Sequence, residues 1–167
     1  MNKYTVLKKS KRSNLFKYIF YLLIILIIIV LFWTDKMGDK QDEEFLDDYT
    51  LLQTLINQTS NQAPNTIEQL SALQQKYSNE YLIAYHLGIA YLNEGNIQQA
   101  LIMYKRTLDL NPFVVENKEF MYQYALILGN NEQIDNAMRV VERAKQLSPN
   151  EEYQSKLNSL VESIEKN

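Results

Sequence analysis

The chain begins polar and basic, turns continuously apolar, and then settles into apolar positions spaced three and four residues apart. From Tyr18 to Thr34 no residue is charged, and nearly all are Ile, Leu, Phe, Tyr or Val. At about 1.5 Å rise per residue, this stretch predicts a helix about 25 Å long. Leu15 and Phe16 extend its apolar length, and Lys17 can carry its ammonium to the interface. In lipid every backbone polar group has to be satisfied within the segment, which makes a helix the expected form. Tyr18 and Tyr21 at one end and Trp33 at the other suit the two membrane–water boundaries. The following Phe32-Trp33-Thr34-Asp35 offers no pair of small residues for a signal peptidase, so the span reads as a retained anchor.

Beyond the anchor the period becomes helical. Phe45, Tyr49, Leu52, Leu55 and Ile56 make one stripe, and Ile67, Leu70 and Leu73 a second. Asn65 followed by Glu68 resembles a capping box, with Pro64 closing the loop before it. Ile97, Leu101, Tyr104 and Leu108 form a further stripe, as do Ile134, Met138, Val141 and Ala144. Asn93-Glu94-Gly95-Asn96 and Gly129-Asn130-Asn131 interrupt the pattern where a helix pair has to reverse. Ser148-Pro149-Asn150-Glu151 reads as a helix start with Ser148 as N-cap and Pro149 in the first position. It is followed by the single stripe Tyr153, Leu157, Leu160, Val161 and Ile164. The expected fold is all-α: one N-terminal transmembrane helix, about three antiparallel helix pairs, and a C-terminal capping helix. The expected organisation is a tail at 1–17, an anchor at 18–34, a charged linker at 35–41 and a helical domain at 42–167.

Two blocks within that domain repeat each other. The first, 81–114, carries Leu87, Gly88, Tyr91, Ala100, Tyr104 and Pro112. The second, 118–150, carries Ala125, Ala137, Ala144 and Pro149 in matching places. These spacings resemble the tetratricopeptide repeat, a helix–turn–helix of about 34 residues. Ala84 stands where that family usually has Trp, and Thr107 where it usually has Ala. Pro112 and Pro149 lie 37 positions apart, which implies about three residues inserted near Val114–Asn117. A single repeat cannot bury its own apolar face. The degenerate pair at 44–78 and the cap at 151–165 are expected to cover the two ends.

Charge gives the topology. Lys3, Lys8, Lys9, Lys11, Arg12 and Lys17 precede the span with no acid among them. Asp35, Asp39, Asp42, Glu43, Glu44, Asp47 and Asp48 follow it, against only Lys36 and Lys40. The positive-inside rule then predicts a cytoplasmic basic tail and an extracytoplasmic domain, anchored once in the cell's inner (cytoplasmic) membrane. From residue 35 onward, eleven Lys and Arg face twenty Asp and Glu, a net charge of −9 that argues against nucleic acid as a partner. The chain has no cysteine and one histidine, His86, for which a structural role is expected. No nucleophile elbow, phosphate loop or metalloprotease motif is present. No catalytic residue, metal or cofactor is therefore expected, and the protein does not read as an enzyme.

The resemblance to tetratricopeptide arrays implies a concave groove lined by the first helix of each pair. The groove positions it implies are Tyr85, Ile89, Leu92 and Asn93 in one repeat, and Tyr122, Leu126 and Asn130 in the next. Such a face suits an amphipathic helix or an extended segment of a protein partner. The order of anchor, acidic segment and Ala84-Tyr85-His86-Leu87-Gly88 is similar to the tetratricopeptide subunits of bacterial cytochrome c maturation and haem-lyase systems. That similarity implies a scaffold or chaperone for envelope proteins. Two other kinds of membrane-anchored tetratricopeptide protein fit the same layout: a chaperone attached to the secretion translocon, and a structural scaffold of a pilus or cell-wall complex.

Overall fold

The computed structural model describes residues 3–59 and 65–166, with side chains for 15–57 and 65–166. Among these residues there is no strand. The helices are α1 (Lys3–Thr59), α2 (Thr66–Lys76), α3 (Tyr81–Asn93), α4 (Ile97–Leu110), α5 (Lys118–Asn130), α6 (Ile134–Leu147) and α7 (Glu151–Glu165). A short 3-10 helix, Pro112–Glu116, stands between α4 and α5. The fold divides into two compact units, 1–49 and 50–167. The loop residue Pro64 and the side chains of Lys3, Lys8, Lys9, Lys11 and Arg12 fall outside the described residues.

Helix α1 runs without interruption through the segment expected to be a linker, 35–41. Four of its seven residues there, Lys36, Met37, Lys40 and Gln41, are long-chained helix formers, and the one glycine, Gly38, costs a helix only about 1 kcal/mol. Within the first unit the apolar run is exposed along its length, as in Leu22, Ile25, Ile28 and Leu31. Among the described residues this is the one helix long and apolar enough to cross a membrane. The stripe expected from Phe45 to Ile56 divides. Phe45 and Tyr49 are exposed, with their rings stacked 6.5 Å apart, whereas Leu52 and Leu55 are buried.

The second unit is an array of paired helices. α3 packs on α4, α5 on α6, and α7 on α6 and α5. One core joins Leu52, Leu55, Leu70, Leu73, Ile83, Leu87 and Ala90. A larger one contains Tyr104, Phe120, Ile127, Val141, Leu157 and Ile164. Gly88 and Gly129 are seats for a neighbour. A Cβ on Gly88 would lie 2.7 Å from the Tyr104 ring, and one on Gly129 would lie 2.6 Å from Ile164. Thr107, in place of the usual Ala, is fully buried, and its hydroxyl donates to the Met103 carbonyl at 2.9 Å.

Asparagine starts most of these helices. The side chains of Asn96, Asn117 and Asn150 accept backbone N–H groups at the starts of α4, α5 and α7, and Asn111 does so for the 3-10 helix. Two expected starts are corrected. Asn65 adopts a left-handed conformation (φ 67°) with no side-chain cap bond, so no capping box forms with Glu68. The N-cap of α7 is Asn150, which accepts from the Tyr153 N–H at 3.0 Å, while Ser148 and Pro149 precede the helix. The inserted residues near Val114–Asn117 are taken up by the 3-10 helix, whose Val114 is buried. Pro112 opens that turn, two residues after α4 has ended.

Candidate functional site

Helices α3 and α5 are both 13 residues long and align at an offset of 37 residues, so Ile83 matches Phe120, Tyr85 matches Tyr122 and Gly88 matches Ala125. The apolar candidates Tyr85, Ile89, Leu92, Tyr122 and Leu126 are all half-buried and packed partly against the larger core. Asn93 and Asn130, at the last position of each helix, are exposed. Half-burial is what a helix gives to residues beside its core stripe, where one edge of the side chain packs and the other meets solvent.

The two tyrosines differ in how deeply they are committed. The Tyr85 ring lies 5.7 Å from both Tyr104 and Phe120, edge-on to the first and tilted to the second. Tyr104 stacks on Phe120 at 5.0 Å and on Tyr124 at 6.1 Å. The hydroxyls of Tyr85 and Tyr104 donate to one atom, Gln123 Oε1, at 3.0 and 2.5 Å. Burial pushes the Tyr85 phenol up to about 12, with a smaller contribution from the Glu119 carboxylate. Tyr104 is raised as well, again first by burial. Tyr122 is freer. Its ring carries the Lys156 ammonium of α7 at 4.0 Å, and that ammonium also pairs with Glu119 at 3.3 Å. Each tyrosine is therefore met by the sixth residue of a later helix, Gln123 of α5 for Tyr85 and Lys156 of α7 for Tyr122.

Neither Gln123 nor Lys156 stands out in the sequence, because a polar residue beside an apolar stripe reads as a solvated face. Aligning α3, α5 and α7 exposes them as one row with His86, in the sixth position of each helix. His86 has its Nδ1 buried without a hydrogen-bond partner, and burial lowers its pKa to about 4. Among the described residues no cluster of His, Asp and Glu could hold a metal ion.

Two stretches of this array match a known family. Residues 82–113 and 119–151 are tetratricopeptide repeats. The matched stretches coincide with α3–α4 and α5–α6, so each repeat is one antiparallel pair and α7 covers the end of the second. Tetratricopeptide repeats are protein-interaction modules and are generally not enzymes. No curated protein matches the sequence.

Proposed function

We propose that the protein is a membrane-anchored scaffold or chaperone that holds a segment of another protein against the inner face of its repeats, on α3 and α5. The observation that carries this reading is the paired row of half-buried apolar residues, Ile89 with Leu126 and Tyr85 with Tyr122, ending in exposed Asn93 and Asn130. Each offers apolar area that is only partly used inside the array, beside the exposed side chains of Asn93 and Asn130. A helix or extended segment with apolar residues at matching intervals is the occupant such a row accepts. The apolar run of α1 supports an anchor in the inner membrane, which would confine the array to clients arriving at that surface. The specific client we favour is a protein under assembly in the envelope, an apocytochrome c being the case that the order of anchor, acidic segment and repeats suggests.

Site-directed photocrosslinking in intact cells tests this. A photoreactive phenylalanine at Ile89 or Leu126 is expected to give the same discrete adducts. One at Ile102, which is half exposed on α4, is expected to give none of them. Adducts confined to Ile102, or identical at all three positions, would place the partner elsewhere. Loss of covalently haem-bound cytochromes on deleting the gene is the result expected for the cytochrome client. Unchanged levels would remove that client and leave the scaffold reading standing.

A further inference from the structure

One acceptor atom of Gln123, its Oε1, takes hydroxyls from two other helices, Tyr85 of α3 and Tyr104 of α4. It projects from α5, so one amide oxygen joins both helices of the first repeat to the first helix of the second. The joint matters because of where the backbones lie. α3 packs chiefly on α4 and α2, and α5 on α6, so α3 and α5 meet through side chains rather than along their backbones. Side chains that span this seam include the Tyr85–Phe120 ring pair and the Tyr85–Gln123 hydrogen bond. Ring packing is broad and tolerates sliding, whereas a hydrogen bond weakens steeply as its distance and angle change.

We propose that Gln123 is a positioning residue that sets the separation of α3 and α5, and with it the width of the inner face. Its oxygen fixes the rotation of the Tyr85 ring, whose other edge belongs to the partner-facing row. The seam between α5 and α7 combines neutral and charged contacts: the Tyr153 hydroxyl donates to the Lys118 carbonyl, and Lys156 lies over the Tyr122 ring while pairing with Glu119. The inference adds detail to the proposed binding face, yet the spacing can be measured with no partner present, so either can fail without the other.

The chain contains no cysteine, which lets two be introduced as unique attachment points. Nitroxides at Glu94→Cys and Asn130→Cys, both exposed sites, report the distance between the ends of α3 and α5 in the full chain in detergent. The Tyr85→Phe change keeps the ring and removes one hydroxyl. It is expected to broaden the distance distribution at least twofold with unchanged helical content. Gln123→Leu is expected to broaden it further, and Gln123→Glu to restore a narrow distribution, since a carboxylate also accepts two hydroxyls. Narrow distributions in both Tyr85→Phe and Gln123→Leu would overturn the proposal, as would Gln123→Glu behaving like Gln123→Leu. If Gln123→Leu fails to fold, the Tyr85→Phe and Gln123→Glu pair still decides.

Discussion

His86 occupies the same place in α3 as Gln123 in α5, but its ring nitrogen Nδ1 is buried with nothing to bond. The Tyr85 ring beside it, 5.1 Å away, gives contact without a hydrogen bond through that nitrogen. Burial therefore disfavours the imidazolium and brings the folded-state pKa from 6.5 to about 4. Between these two values the unfolded chain binds a proton that the folded chain refuses, so stability rises with pH across that window. The contribution is complete above pH 6.5, shrinks as pH falls, and is exhausted near pH 4. Lowering the pH from 7 to 5 should cost about 2 kcal/mol through this one residue. His86→Phe keeps a flat ring and removes the titration. Urea midpoints at pH 7 and 5 should separate clearly in the wild type and move together in His86→Phe. Equal separation in the two proteins would assign the pH dependence to other groups.

Helix α7 shows the same logic at the scale of an element. Its stripe of Tyr153, Leu157, Leu160 and Ile164 is buried, and its remaining positions are mostly polar. Three side-chain bonds to backbone carbonyls fasten its first turns. The Tyr153 hydroxyl donates to the Lys118 carbonyl at 2.6 Å, and Gln154 Nε2 donates to the carbonyls of Lys145 and Ser148 at 2.8 and 2.7 Å. Leu157→Ala removes a fully buried side chain and should cost about 2–5 kcal/mol. Asn150→Ala removes only the cap and should cost about 0.5–2 kcal/mol. Denaturant unfolding of the two variants should keep that order, and a Leu157→Ala cost below about 1 kcal/mol would mean that α7 frays independently of the array. The stripe was legible in the sequence because each of its residues follows the last by three or four positions. The cap was not, since Ser148, Pro149 and Asn150 all suit a helix start and only the backbone selects among them. Asn65 failed for a related reason: its backbone turns left-handed and its side chain makes no cap bond to the helix it precedes. The four charged residues of 35–41, with Gly38, resembled a linker by composition, although Lys36, Met37, Lys40 and Gln41 are good helix formers. Gln123 was illegible because its two partners depend on how α3, α4 and α5 converge, which no spacing within one helix encodes.

Across the whole chain, charge is distributed less evenly than its total of −3 suggests. Seven of the twenty acids lie between Asp35 and Asp48, so the array that follows carries thirteen acids against nine Lys and Arg, a net −4. Helices α4 and α6 are basic on balance, with Lys105, Arg106, Arg139, Arg143 and Lys145 against Asp109, Asp135 and Glu142. The strongest acidity is therefore a property of the stretch directly after the apolar run, opposite in sign to the six cations before it. That contrast is what orients a single span, because Lys and Arg near its end are retained on the cytoplasmic side. The first segment to test is consequently the tail. With the native tail, protease added to spheroplasts should digest the array and spare an N-terminal fragment ending near residue 35. Replacing Lys8, Lys9, Lys11 and Arg12 with Gln removes four of the six cations and leaves Lys36 and Lys40 to compete for the cytoplasmic side. A fraction of that variant should then resist protease until the membrane is permeabilised. Full protection of the native array would reverse the orientation and take the envelope client away with it, whereas a tail variant indistinguishable from the native chain would show that these four cations do not decide the topology.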